Sequence, residues 1–422
     1  MTNWLKNKFQ RDVSWNVLTF AIMSVSGIAL NILILTKYGT EILGAFNQVY
    51  AVYIFASQLA VFGIYASVLK SISEHSEDRA VCNEIITSAL IIGIGAGTLV
   101  SLSYYFAIPS LERFLDSALV AKGLFFSIVG LWCFALNKIL LAFLNGLRQM
   151  KAFALFTAFR YIMMPLSLLI LIFFGFPGYL SPLVFSLTES SLLIFLLIFS
   201  FRFFSITPIN RCLKWFRVHL LFGGKSLVGG TVTEMNSRID VFMLGIFFND
   251  KIVGIYSLAA IFAEGFAQIP VIFQVNYNPL LTKFVISKRF EELSLTIKTF
   301  LKKWTSFALI ITSLAVLIYP LLVKLISNDP ELVISWAVFV ILVTGIMIRS
   351  GYAVFWELPS QSGYPGHQTI LIMLVIGSNI LLNYLLIPTW GIYGAAIATS
   401  ISFILSIFYL KLIIKKLLNI VI

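Results

Sequence analysis

Apolar residues along this chain fall into long blocks punctuated by charge, proline and glycine. A helix needs about 20 apolar residues to cross roughly 30 Å of hydrocarbon. Blocks of that size can be drawn at 14–36, 43–69, 84–108, 118–146, 152–175, 179–201, 218–248, 252–278, 301–326, 333–357, 367–388 and 391–414. Inside a bilayer each backbone N–H and C=O must be satisfied within the protein, so an unbroken apolar block of this length is a helix. The pattern predicts an all-α polytopic membrane protein with about twelve transmembrane helices. No connection is long enough to hold a further domain. The basic N-terminus runs into the first block with no small-residue cleavage site, so that block is read as an uncleaved span. Trp4, Leu5 and Phe9, set among Lys6, Lys8 and Arg11, predict a short interfacial segment ahead of it.

Composition sharpens this picture. Of 422 residues, 59% are hydrophobic and 11% are charged, against about 25% charged in soluble domains. The net charge of +12 does not point to nucleic acid, because the basic residues cluster in alternate connections. Those on the side of both termini hold 20 Lys and Arg; the opposite side holds Lys37, Arg113, Lys251 and Lys324, which is 4. The positive-inside bias predicts both termini in the cytoplasm. Cys82, Cys133 and Cys212 are scattered and read as small apolar filler.

A faint repeat runs at half the chain length. Ile42-Leu43-Gly44 followed by Gln58, and Ile252-Val253-Gly254 followed by Gln268, match at an offset of 210; Gly178 and Gly391 open the sixth and twelfth blocks at 213. With six blocks in each half, the repeat predicts two parallel six-helix lobes, 1–209 and 210–422, with a site expected at mid-depth.

Charge inside the blocks is the candidate chemistry, because each such group costs at least a few kcal/mol at membrane depth and is kept where it has a partner or a cavity. Lys138 and Arg160 lie about 15 Å and 13 Å from the cytoplasmic connection at 1.5 Å per residue, with Glu189 at a similar level. The seventh block carries Lys225, Glu234, Arg238 and Asp240, the eighth Glu264, and the tenth Arg349 and Glu357. Glu234 and Arg238 are spaced to neutralise each other, and Glu189 can do the same for Arg160 or Lys138. The cations Lys138, Arg160, Lys225, Arg238 and Arg349 slightly outnumber the acids Glu189, Glu234, Asp240 and Glu264. A surplus cation in a cavity calls for an anion, and a phosphate-bearing substrate supplies one. Lys225 and Arg238 point to nearly opposite sides of an unbroken helix, so a shared cavity requires a break at Gly229-Gly230. Arg238 is the cation singled out, since its depth needs no break.

Other chemistry is thin. His75, His219 and His367 have no metal spacing, and His219, at the start of a block, is expected at the interface. Gly223-Gly224-Lys225-Ser226 resembles the end of a phosphate-binding loop but opens a membrane block with no strand before it. No catalytic residue, metal or cofactor is expected, and the chain is not read as an enzyme.

Four stretches carry a resemblance: Tyr38-Gly39-Thr40-Glu41-Ile42-Leu43-Gly44, Ser237-Arg238-Ile239-Asp240, Val253-Gly254-Ile255-Tyr256-Ser257-Leu258-Ala259, and the most specific, Asn383 to Thr399. They resemble the polysaccharide-biosynthesis branch of the multidrug/oligosaccharidyl-lipid/polysaccharide exporter superfamily, in particular bacterial Wzx-type O-antigen flippases. The resemblance implies two six-helix bundles forming a V, alternating access, and a location in the bacterial inner membrane. It implies as substrate an undecaprenyl-pyrophosphate-linked oligosaccharide of O-antigen or capsule, carried to the periplasmic leaflet. It also implies a cationic cavity, for which Lys138, Arg160, Lys225, Arg238 and Arg349 are the candidates here. Expected partners are that lipid, the bilayer, a coupling H⁺ or Na⁺ at Glu234, Asp240 or Glu264, and a glycan polymerase with its chain-length regulator. Open alternatives are an ion-coupled drug antiporter of the same superfamily, a flippase for the peptidoglycan lipid precursor, and a membrane glycan polymerase or ligase.

Overall fold

The computed structural model describes residues 3–235, 238–327 and 329–420, with side chains for all of these except 3–18, 20, 228–235 and 275. Regular structure among them is helical: α1 (Asn3–Val61), α2 (Ile64–Glu74), α3 (Arg79–Leu115), α4 (Ala118–Gly146), α5 (Met150–Phe173), α6 (Leu183–Ser200), α7 (Ile209–Met235), α8 (Ile239–Phe247), α9 (Asp250–Ile286), α10 (Phe290–Ile326), α11 (Ile334–Ala353), α12 (Leu358–Gln361) and α13 (Pro365–Leu418). Single 3-10 turns precede α6 and α11. The interfacial segment expected around Trp4, Leu5 and Phe9 lies outside the residues whose side chains are described.

Nine segments among the described residues are long and apolar enough to cross a membrane. Two of them are double. The 41-residue segment Ala21–Val61 holds most of the first predicted span and most of the second, and breaks at Gly39 (φ 85°, ψ 179°). The 54-residue α13 holds the last two spans and breaks at Gly391 (φ 57°, ψ −134°). Such positive φ values strain any residue with a Cβ, so glycine stands at both breaks. The seventh predicted span is divided between α7 and α8. Helix starts follow local chemistry: Asp78, Ser117 and Asn249 accept from free backbone N–H groups at the first turns of α3, α4 and α9.

Helices also occupy stretches expected as connections. The predicted loop after the eighth span is helical to Ile286 and again from Phe290. At 37 residues each, α9 and α10 run to about 55 Å, well past the hydrocarbon thickness. The extra turns of α10 are amphipathic: Leu293 and Ile297 are buried while Lys298, Lys302 and Lys303 are exposed. A charged connection and an amphipathic helix have similar composition, and periodicity against the Leu281–Leu358–Leu371 core separates them.

Contacts divide the chain into two units, Met1–Met235 and Asn236–Ile422. In the first, α4 packs against α1, α2, α3 and α6. Its residues Ile139, Leu140, Phe143 and Leu144 share a core with Ile64, Val68, Ile85, Ile86, Leu192 and Leu196. Before α7 the chain is pinned to α3 by Ser205 N to Asn83 Oδ1 (3.0 Å) and Thr207 N to Thr87 Oγ1 (3.2 Å). His219 is fully buried, not interfacial: its Nδ1 lies 2.8 Å from Ser67 Oγ and its Nε2 3.1 Å from the Ile85 carbonyl. It fastens α7 to α2 and α3, which sequence position alone does not reveal.

In the second unit α11 packs against α9, α10 and α13. The internal packing of this unit repeats that of the first. Ser186 Oγ donates to the Phe126 carbonyl at 2.6 Å beside Gly130; Ser400 Oγ donates to the Ile341 carbonyl at 2.8 Å beside Gly345. The glycine and carbonyl correspond at an offset of 215 (126 to 341, 130 to 345) and the serines at 214 (186 to 400). At the first turn of each half, Tyr38 sits on Gly178 and Phe248 on Gly391. A Cβ on Gly345 would lie 2.6 Å from the Ser400 Cβ and 2.7 Å from its Cα. Gly345→Val is therefore expected to overpack the α11/α13 seam and cost about 1–3 kcal/mol. A melting temperature of the detergent-solubilised variant equal to the parent's would contradict this.

Candidate functional site

The deep charges of the first unit converge on Glu189. This α6 carboxylate is fully buried and pairs with Arg160 of α5, Oε1 to Nε at 2.7 Å and Oε2 to a terminal guanidinium nitrogen at 2.9 Å. Asn137 of α4 donates to both Glu189 Oε2 and its backbone carbonyl, each at 2.8 Å. Arg160 also lies over the Phe134 ring, 4.8 Å from its centroid. Between the two open choices for Glu189, the structure selects Arg160. Lys138, one residue beyond Asn137, turns elsewhere. Its Nζ donates to Gln58 Oε1 at 2.9 Å and sits 4.6 Å from the Tyr65 centroid. Gln58 is the glutamine that marked the repeat, and here it positions a cation.

In the second unit Arg238, at the start of α8, pairs with Glu264 of α9 at 2.9 Å. Glu234 lies outside the residues whose side chains are described. Asp240 is buried on α8; its Oδ2 accepts from the Tyr256 hydroxyl and its Oδ1 from the Val241 N–H at 2.9 Å. The Thr399 side chain lies beside the same Tyr256 hydroxyl. Asn379 Nδ2 donates to Thr399 Oγ1 at 3.2 Å, and Asn383 Nδ2 to Asn379 Oδ1 at 3.0 Å. Asp240, Tyr256, Thr399, Asn379 and Asn383 thus form one polar line through α8, α9 and α13. Three of the four stretches that carried the family resemblance meet in it. A counterpart in the first unit is neutral: Asn47 Nδ2 donates to Asn31 Oδ1 at 2.9 Å between the two arms of α1. Sequence reading singled out Asp240 but missed Tyr256, Thr399 and Asn379. The signal was available in the Asn379–Asn383 spacing, four residues apart on one face of an apolar helix.

Two expectations about geometry change. Helix α7 runs past Gly229-Gly230 to Met235, and α8 begins at Ile239. The interruption therefore falls later than the glycine pair, next to Arg238. Lys225 is exposed on α7. Arg349 and Glu357 do not share a helical face, because α11 ends at Ala353. Arg349 instead lies against two rings, 4.9 Å from the Trp356 centroid and 5.0 Å from that of Phe403. Its Nε is shielded from solvent and has no hydrogen-bond acceptor among the described residues. No carboxylate lies within ion-pair distance of it among those residues.

The five predicted cations thus separate by what holds them. Arg160 and Arg238 are met by acids, Lys138 by an amide and rings, Arg349 by rings, and Lys225 lies on an exposed helix face. No group of three or more His, Cys, Asp and Glu among the described residues is placed to hold a metal.

A family model described as polysaccharide biosynthesis protein matches residues 13–282. No curated protein matches the chain. Among solved structures, an inward-facing multidrug resistance MATE family transporter of the MOP superfamily aligns with a TM-score of 0.74 at 13% identity, over 96% of this chain and 98% of its own. The lipid II flippase MurJ, in an inward closed conformation, aligns with a TM-score of 0.76 at 15% identity, over 96% and 87%. A MOP superfamily transporter from Pyrococcus furiosus aligns with a TM-score of 0.57 at 14% identity, over 97% and 94%. At these identities the likeness is one of fold: the chain has the MATE-like, all-helical transporter architecture.

Proposed function

Because the chain belongs to the polysaccharide biosynthesis protein family, we propose that it is a flippase for a polyprenyl-diphosphate-linked oligosaccharide, such as an O-antigen or capsule repeat unit. In this reading it sits in a bacterial inner membrane with both termini cytoplasmic. The six-helix halves 1–209 and 210–422 are the moving parts of alternating access, and no bond of the substrate is made or broken. The observation that carries the reading is the unequal pairing of the deep cations. A chain whose buried guanidinium and ammonium groups were all met by acids would have nothing to offer a diphosphate. Here Arg349 lies against two rings, and no carboxylate is within ion-pair distance of it among the described residues. One solved neighbour is described as a lipid II flippase, which fits a lipid-borne substrate for this chain.

Ion coupling is assigned to Asp240. Among the deep acids whose side chains are described, Glu189 and Glu264 pair with arginines, whereas Asp240 is hydrogen-bonded by the uncharged Tyr256 hydroxyl and the Val241 N–H. A proton or Na⁺ taken up there alters the charge of a line that ties α8 and α9 to α13. A glycan polymerase and its chain-length regulator are the expected consumers of the flipped unit.

Complementation tests the reading. Expressed in a strain lacking its own flippase, the chain restores surface glycan for a matching repeat unit, and the lipid-linked intermediate no longer accumulates inside. Failure with every O-antigen and capsule pathway tried, together with export of cationic drugs, would move the chain to the antiporter class.

A further inference from the structure

Helix α10 differs from its counterpart in the first unit by what covers it. That counterpart is α3: each runs 37 residues and leads into the seam helix, α4 or α11. The opening turns of α3 are covered by the chain around α7. Ser205 N and Thr207 N donate to Asn83 and Thr87, and His219 meets the Ile85 carbonyl. On the opening turns of α10, Lys298, Lys302 and Lys303 are all exposed. Among the nine candidate spans of the described residues, α10 also has the smallest buried share.

Next to these lysines a crevice opens between α9, α10 and α11. Its wall on α10 is the stripe Trp304, Phe307, Ala308 and Ile311, facing Pro270 of α9 and Met347 of α11. Trp304 closes the end beside the lysines. Its Nε1 donates to Ser350 Oγ at 2.7 Å, and its ring meets those of Phe273 and Phe300 at 5.0 and 5.3 Å. The lining is aromatic and aliphatic apart from Thr312 and the Ser350 hydroxyl, which Trp304 already engages. From Trp304 to Thr312 the stripe runs about 12 Å, most of the roughly 15 Å of hydrocarbon in one leaflet.

A lysine just before Trp304 carries its ammonium away from the crevice, because side chains on a helix lean toward its N-terminus and the stem extends to the polar boundary. Tryptophan favours that same boundary. Apolar crevice and cationic collar therefore adjoin where the acyl chains of a lipid meet its headgroup. Charge decides which headgroup fits. From Lys283 to Lys303 there are six Lys and Arg against two Glu, and one of these, Glu292, is taken by Arg289. We infer that the crevice and the collar of Lys298, Lys302 and Lys303 form a site for one anionic phospholipid of the bilayer, with an acyl chain along the stripe and the phosphate at the lysines. The lipid takes on α10 the place that residues 205–219 take on α3. The site needs neither the flippase reading nor any of the deep cations.

The test titrates purified full-length protein in detergent with dioleoyl phosphatidylglycerol and, separately, with dioleoyl phosphatidylcholine, and counts bound lipid by native mass spectrometry. The parent is expected to hold one phosphatidylglycerol roughly a hundredfold more tightly than phosphatidylcholine, as three basic residues near an anionic headgroup provide. Each of Lys298→Gln, Lys302→Gln and Lys303→Gln weakens phosphatidylglycerol about fivefold and leaves phosphatidylcholine unchanged, and the triple variant binds both lipids alike. Thr312→Trp fills the crevice and lowers binding of both lipids. Should that variant fail to fold, chain length reports on the crevice in the parent: dihexanoyl phosphatidylglycerol, with the same headgroup, binds about tenfold or more weakly than the dioleoyl lipid, since fewer methylenes are buried. Equal affinity of the parent for the two headgroups overturns the inference. So does a headgroup preference that survives in the triple lysine variant, unchanged binding in folded Thr312→Trp, or equal binding of short and long chains. Displacement of phosphatidylglycerol by an equal concentration of a polyprenyl phosphate would give the crevice to the carrier lipid and overturn it as well.

Discussion

Glu189→Ala is expected to destabilise the protein by about 3–5 kcal/mol, the effect of leaving a buried charge without its partner. The carboxylate is fully buried and meets Arg160 through both oxygens, so alanine strands the guanidinium and an Asn137 donor together. The loss is read as a lower melting temperature and reduced recovery from membranes. Replacing the pair together, Glu189→Leu with Arg160→Met, is expected to recover most of that stability, because a well-packed apolar pair often substitutes for a buried ion pair at little cost. The double variant also separates roles. If it still displays glycan at the cell surface, Arg160 is architecture and the cationic cavity does not include it. Loss of transport in a stable double variant would return Arg160 to the substrate site.

The second large effect is expected at Asp240. Asp240→Asn is isosteric: its Oδ1 still accepts from the Val241 N–H, and its Nδ2 donates to the Tyr256 hydroxyl oxygen with that bond reversed, so the polar line and the fold survive. It removes the group that gains and loses charge. Transport driven by an imposed Na⁺ or H⁺ gradient should fall by about an order of magnitude, within the coupling range of about 1–3 kcal/mol between linked sites. Binding of the lipid substrate should be largely retained. Gradient-driven transport that is unaffected in Asp240→Asn would exclude this carboxylate as the coupling site.

Much of the architecture was legible because a bilayer demands long apolar helices. The drawn limits 118–146 coincide with α4, the sixth and last spans lie within a few residues of their helices, and the ninth shares its end at Ile326 with α10. What failed was wherever polarity and helix coexist, as at the amphipathic start of α10 and at Ile209–Arg217. Charge identity was also legible, but pairing was not. Arg238 reaches across to Glu264 on the next helix, a partner that spacing along one helix does not show. Spacing reports neighbours on one helix; the choice among helices is made by packing, which a single sequence does not display. For the same reason Arg349 was only one of five candidate cations in the sequence, and what distinguishes it in the structure is that no carboxylate lies within ion-pair distance of it among the described residues. The repeat was visible only as scattered matches such as Gly178 with Gly391. Its clearest form, the Ser186 and Ser400 seams, lies in side-chain-to-carbonyl bonds that leave little sequence trace beyond a serine and a glycine.

Movement of a lipid-linked glycan from one leaflet to the other is the central claim, and reconstitution measures it directly. Proteoliposomes are loaded with a polyprenyl-diphosphate oligosaccharide, and a membrane-impermeant glycan-cleaving enzyme or lectin is added outside. The account predicts that nearly the whole pool becomes accessible in vesicles containing the protein under an imposed ion gradient, and only the outer-leaflet half, roughly, without it. Accessibility that stays at the outer-leaflet fraction with active, correctly folded protein, for every diphosphate-linked glycan offered, would contradict it.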